Sequence, residues 1–262
     1  MSLNAASFTD LRARVLSALV MIVIGGAAVW AGGLVFDLFI SAACGLMVWE
    51  LTRMLDREAR FGKAEAAGIT ASVALFVFWL QLAGPWLLGA MVLTVGLLSW
   101  RFPNDRGIAA GYLALILFAG LGLMVLRSDF GLTWVLWLVA LVIGSDVAGY
   151  FAGRILGGPK LWPRVSPKKT WSGTVAGWVL AALIGLAFMG PLGAGVGLVI
   201  VSVLVAMAGQ AGDIAESAIK RHAGVKDSSN LIPGHGGVMD RFDAMIAAAL
   251  MVLLLASFGL LG

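Results

Sequence analysis

Five of the fourteen acidic residues in this 262-residue chain lie between Asp213 and Asp243. Asp213, Glu216 and Lys220 follow one another at three- and four-residue intervals, the spacing that puts side chains on one face of a helix. Asp240 and Asp243 stand three apart where an apolar stretch begins. Carboxylate oxygens at this spacing suit a hard cation such as Mg²⁺, and such a cation in turn suits a polyphosphate. Plainer readings exist for both pairs. Asp213 and Glu216 would also make a solvated helix face paired to Lys220, and Asp240 with Asp243 would also be favourable charge at a helix N-terminus.

A second constellation precedes this one. Between Ser145 and Gly173 the chain carries Arg154, Lys160, Arg164, Lys168 and Lys169 among glycines and prolines, with Ser166, Thr170 and Ser172 adding hydroxyl groups. Basic side chains and exposed backbone amides can hold phosphates, and a helix starting near Trp171 would add the field of its N-terminus. Composition alone allows a topology-setting basic loop instead, but that does not account for the Gly, Pro, Ser and Thr gathered among the bases. Asp146 sits toward the end of an apolar stretch, where an unpaired carboxylate is costly. His235 lies in the turn "PGHGG". A lone histidine is too little for a zinc site, so its reading is a structural or substrate-contacting hydrogen bond.

The rest of the chain must position these groups. It is 61% apolar and 12% charged, about half the charged share of an ordinary soluble domain. A soluble enzyme with one core is nearly excluded. A hydrocarbon layer about 30 Å thick takes roughly 20 residues of helix. Apolar stretches of nearly that length run over 15–32, 34–50, 66–80, 85–100, 109–126, 130–145, 173–190, 192–210 and 244–261. All seven prolines fall between these stretches or at their ends, where a missing backbone donor costs least. The fold class expected is all-α, a polytopic membrane protein with about nine transmembrane helices.

Charge sets the orientation. With the N-terminus in the cytoplasm and the sides alternating through nine spans, all of the eighteen basic residues except Arg127 fall on the cytoplasmic side, Arg57 and Arg60 among them. Short basic loops resist translocation, so the C-terminus is expected outside, in the periplasm or extracellular space. The formal charge of +4 is then mostly a topology device and no argument for nucleic acid. Residues 1–140 read as a transmembrane scaffold. Residues 141–262 read as the catalytic region, with cytoplasmic loops over 146–172 and 211–243.

The stretch "SAIKRHAGVKDSSNLIPGHGGVMDRFD", Ser217 to Asp243, closely resembles the signature of the phosphatidate cytidylyltransferase family, the CDP-diacylglycerol synthases. Ser217, Lys220, Arg221, Lys226, Asp227, His235, Gly236, Gly237, Asp240, Arg241 and Asp243 fall on its characteristic positions. "GDIAES" at 212–217 and "KLWPRVSPKKTWSG" at 160–173 also look like the family, in the expected order. Ala244 stands where bacterial relatives often have serine. The strong resemblance covers about 145–244, with the N-terminal half matching only in its membrane character.

The resemblance implies transfer of the cytidylyl group from CTP to phosphatidic acid at the cytoplasmic face of a bacterial inner membrane. It also implies a divalent cation, commonly Mg²⁺, and a homodimer. By family analogy Asp213 and Asp240 lead as metal carriers, followed by Asp243 and Asp227. Lys220, Arg221, Lys226 and Arg241 would supply positive charge to the reaction. Ser166, Lys168, Lys169, Thr170, Ser217, His235, Gly236 and Gly237 would contact substrate. Two rivals stay open here. A transporter would also have about nine spans, and another lipid-linked cytidylyltransferase would keep the nucleotide chemistry and change the acceptor.

Overall fold

The computed structural model describes residues 5–56 and 62–261; Arg57 and Arg60 of the charge count lie outside the described residues. Each apolar stretch of the sequence becomes one helix. Among the described residues these are α1 Ala5–Ala31, α2 Gly33–Leu55, α3 Lys63–Gln81, α4 Gly84–Ser99, α5 Arg106–Val125, α6 Leu132–Ile155, α7 Trp171–Leu192, α8 Gly197–His222 and α9 Met239–Ser257. A π-helical turn, Leu126–Phe130, extends α5.

Two findings refine the all-α expectation. Among the described residues, seven of the nine helices are long and apolar enough to cross a membrane by length and composition. The remaining two fall short for different reasons: α4 has only 16 residues, and α9 carries Asp240, Arg241 and Asp243 in its opening residues. Seven such helices still make this a multi-pass membrane protein. The chain is also not purely helical. Strands β1 Lys160–Trp162 and β2 Ser166–Thr170 pair antiparallel, Lys160 opposite Thr170 and Trp162 opposite Ser166. Pro163 and Pro167 bar a helix from this segment, and strands of three and five residues are too short to show an alternation in sequence.

The backbone forms two compact units. One comprises 1–114 and 225–242, the other 115–224 and 243–262. In the first unit α2 is the core element: Phe36, Ile40, Met47, Val48 and Leu51 are all buried, and α3 packs along it. Asp37 on α2 is paired, the indole Nε1 of Trp79 donating to its Oδ2 at 3.0 Å. α1 leaves Ile22 and Trp30 exposed, as suits a helix facing lipid.

In the second unit α7 packs against both α6 and α8. Two tryptophans tie it across: Trp137 Nε1 donates to Ser202 Oγ at 3.0 Å, and Trp178 Nε1 to Gln210 Oε1 at 3.0 Å. An indole N–H without a partner in an apolar bundle would be expensive, and these bonds remove that cost. α8 and α9 meet at Gly212, where a Cβ would come within 2.6 Å of the Asp243 carbonyl oxygen and 2.5 Å of the Ala247 Cβ. Hydrogen is the only side chain this approach admits. It brings residue 213 of one helix beside residue 243 of the other.

That approach is testable. Gly212→Val must push α8 from α9 and is expected to cost about 1–3 kcal/mol of stability, the usual range for overpacking. Gly197→Ala, whose Cβ would meet nothing within 4 Å, is the control. Thermal unfolding in detergent should show a lowered midpoint for the first and none for the second.

Candidate active site

The second unit holds a cavity of about 530 Å³. α6 contributes Asp146, Tyr150 and Arg154, the hairpin Lys160, Lys168, Lys169 and Thr170, and α8 Gln210 and Asp213. α6 continues nine residues past Asp146 to Ile155, so Asp146 lies inside a helix rather than at its end. The hairpin follows from its own residues. Thr170 ends β2 and caps α7, its Oγ1 accepting from Gly173 N at 3.2 Å. Its carbonyl accepts from Thr174 Oγ1 at 3.0 Å. Thr170 thus fixes the joint at which the strand turns into the helix, and with it where Lys168 and Lys169 stand.

Acid and base meet on the cavity wall. Lys169 Nζ forms an ion pair with Asp213 Oδ2 at 2.5 Å, and Ser217 Oγ donates to Asp213 Oδ1 at 3.4 Å. One turn along α8, the fully buried Glu216 pairs through Oε2 with Lys220 Nζ at 2.7 Å. Asp243 joins them from α9. One carboxylate oxygen each from Asp213, Glu216 and Asp243 lies within 4.8 Å of the others. Asp146, Asp213 and Asp243 are close enough to repel one another.

This set could hold a metal ion. Its donors are all carboxylate oxygens, the choice of a hard cation rather than a soft one. Lys169 and Lys220 pair with two of these carboxylates, Asp213 and Glu216.

The signature loop belongs to the first unit. Asp240 Oδ2 accepts from Ser228 N at 2.9 Å, Ser228 Oγ at 2.9 Å and Gly237 N at 2.8 Å. Asp227 lies beside Gly236. His235 is held at both ends: its Nδ1 is 2.8 Å from Ser17 Oγ, and its carbonyl accepts from Arg241 Nε at 3.1 Å. Lys226 stands in the same loop.

Sequence-expected residues therefore divide. Asp213 and Asp243 come together, as do Lys168, Lys169 and Thr170 at the cavity. Ser217 reaches Asp213 and Lys220 reaches Glu216, with Arg221 next to it in the last turn of α8. Ser166 pairs with Trp162 and is absent from the cavity lining. Asp240 is bound to the loop backbone. Two groups carry more than the sequence reading gave them. Glu216 joins the acidic cluster, as its helical spacing from Asp213 allowed, although the resemblance had not put it among the metal carriers. Glu50, near the end of an apolar stretch, had passed as scaffold.

Known proteins resemble this chain over most of its length. The profile of the cytidylyltransferase family matches residues 12–258. A protein of Brucella suis biovar 1 named phosphatidate cytidylyltransferase is 40% identical, over 94% of this chain and 93% of its own. Proteins of the same name from Pseudomonas aeruginosa and Staphylococcus saprophyticus are 37% and 32% identical, over 91% and 90% of this chain and 94% and 95% of their own.

The acidic cluster makes a prediction that needs no turnover. A cation that binds only the folded state raises its stability, by about 2.7 kcal/mol at a hundred times its dissociation constant. Mg²⁺ titrated into the detergent-solubilised protein should raise its unfolding midpoint. Asp243→Asn should abolish most of that rise, and an undiminished rise in the variant would remove Asp243 from the cation site.

Proposed function

The chain belongs to the cytidylyltransferase family, and we propose that it transfers the cytidylyl group of CTP to phosphatidic acid, giving CDP-diacylglycerol and pyrophosphate. The observation that carries this reading is the cavity in which Lys160, Lys168 and Lys169 face Asp146 and Asp213. It offers cations to phosphates and carboxylates to a metal in one place. Relatives named for this reaction cover nine-tenths of the chain.

A phosphomonoester oxygen of phosphatidic acid attacks the α-phosphorus of CTP. The bond from that phosphorus to the bridging oxygen of the β-phosphate breaks, and its electron pair leaves on pyrophosphate. The attacking oxygen is already anionic near neutral pH, so the reaction does not depend on a strong general base. The harder task is bringing two polyanions together.

The residues divide that task. Lys168 and Lys169 on β2, with the Thr170 hydroxyl and the start of α7 behind them, hold phosphate oxygens. Asp213 and Asp243, with Glu216 beside them, would hold Mg²⁺. Asp240, whose Oδ2 accepts from Ser228 and Gly237, and Asp227 of the same loop are metal candidates by the family resemblance. Bound there, Mg²⁺ would neutralise phosphate charge and steady the leaving pyrophosphate. Lys220, Arg221, Lys226 and Arg241 supply further positive charge. Ser217, His235, Gly236 and Gly237 shape the substrate-binding surface.

The same reading extends to the membrane. We assign residues 141–262 as the catalytic region, since every cavity-lining residue falls within them. The distribution of basic residues supports a cytoplasmic N-terminus and cytoplasmic chemistry, and the resemblance supports a bacterial inner membrane. Acyl chains can then stay in hydrocarbon while the phosphate reaches the cavity. The assembly is a homodimer, on the resemblance alone.

The test is CDP-diacylglycerol formation by purified, detergent-solubilised protein given CTP, phosphatidic acid and Mg²⁺. Product should require the metal, and Asp213→Asn should lower turnover by at least about 100-fold while leaving the protein folded. Lys168→Ala should raise the KM for CTP or phosphatidic acid by roughly tenfold, as expected for loss of a charged hydrogen bond. Folded wild-type protein that forms no product across several phosphatidate chain lengths would move the reading to another lipid acceptor.

A further inference from the structure

The first unit contains a carboxylate that the reaction does not use. Glu50 lies toward the end of α2 and is fully buried, with 0% of its surface exposed. Oε1 accepts from Ser229 Oγ at 2.7 Å and Val238 N at 2.8 Å, and Oε2 from Met239 N at 2.7 Å. Ser228 Oγ lies 3.2 Å from Oε2 and 2.9 Å from Asp240 Oδ2, so its one proton is shared between the two carboxylates. Ser229 Oγ is itself fixed by Leu231 N, which donates to it at 3.1 Å.

The partners are informative. Val238 and Met239 are the residues at which α9 begins, and the first N–H groups of a helix have no acceptor within it. Glu50 supplies that acceptor from another helix, and its charge matches the positive end of the dipole. Ser228 and Ser229 lie at the other end of the signature loop. One buried carboxylate thus joins the loop's entrance to its exit. Gly237 lies so close that a Cβ there would run into the Glu50 carboxylate and the Ser228 hydroxyl.

We propose that Glu50 is a positioning residue for the signature loop: its carboxylate fixes 228–239 and the starting residue of α9, and so the register of Asp240 and Asp243 on that helix. Being fully buried, it touches no substrate. Asp240 depends on the same anchor, because its donors Ser228 and Gly237 sit against Glu50. The role calls for a group that only accepts. An amide would turn an N–H₂ toward the N–H of Val238 or Met239, which can only donate.

The consequence for catalysis rests on the reaction proposed above; the structural claim does not. The experiment reads both, on full-length protein in detergent. Glu50→Gln is expected to speed hydrogen exchange of the amides in 228–240 by roughly tenfold or more, the signature of local opening. Exchange in 36–48 of α2 should be unchanged. CDP-diacylglycerol turnover should fall on the order of 100-fold, the scale of a catalytic group displaced by about 1 Å. Glu50→Asp, which keeps the charge, should recover part of both.

Wild-type exchange in 228–240 of Glu50→Gln would overturn the proposal, and so would acceleration spread equally over α2, α3 and the loop. If Glu50→Gln does not fold, Ser229→Ala removes one donor to Glu50 and keeps the charge. Faster exchange confined to 228–240 in that variant supports the anchor, and unchanged exchange sinks it. If the wild-type protein makes no CDP-diacylglycerol while Glu50→Gln still loosens the loop, the reaction reading has failed and the role of Glu50 stands.

Discussion

A carboxylate inside an apolar bundle must be met by donors or by cations, because its desolvation otherwise costs several kcal/mol. The chain meets this constraint in two ways. Glu50 and Asp240 are surrounded by backbone N–H and serine hydroxyl groups. Asp213 and Glu216 are met by Lys169 and Lys220. The first arrangement ties the carboxylates directly to the loop backbone. It gives rigidity. The second sets carboxylates and lysines side by side, with Asp213, Glu216 and Asp243 close enough together to take up a cation as well.

That contrast separates holding from binding. The signature loop is rich in glycine and serine, residues that would let it wander. Two buried carboxylates receive its backbone amides and remove that freedom. The cavity of the second unit is built from stiffer parts, two helices and a hairpin whose end caps α7. Mobile sequence is pinned by buried acids, and polar sequence that must meet ligand is mounted on regular structure. Both devices give a fixed array of charged groups at a site made largely by an apolar chain.

Much of this was legible in the sequence. The nine apolar stretches each mark a helix, because prolines and charges punctuate them. Asp213 beside Glu216 and Lys220 follows from helical spacing once α8 is seen to run on to His222. The hairpin was not legible, since Lys160–Trp162 and Ser166–Thr170 are too short for a period of two to stand out from a basic loop. Nor was Glu50. Its partners are 178 to 189 residues away along the chain, and a lone acid near the end of an apolar run has the same local signature as one facing water. Asp240 shows the opposite failure. Its motif marks it as special, but the motif cannot say that Oδ2 is committed to Ser228 and Gly237.

The chemistry explains why charge placement, rather than a proton-transferring pair, dominates the site. The phosphomonoester that attacks and the pyrophosphate that leaves are both anions, so the barrier lies in their approach and in the charge that builds on the leaving oxygens. A histidine poised as a base would add little, and His235 is held at its ring by Ser17 and at its carbonyl by Arg241. Lysines alone would bind the substrates without discriminating ground state from transition state. The carboxylates resolve this. Asp213 pairs with Lys169, so a polyanion entering the cavity would compete for that ammonium group. A cation held by Asp213, Glu216 and Asp243 would offset phosphate charge.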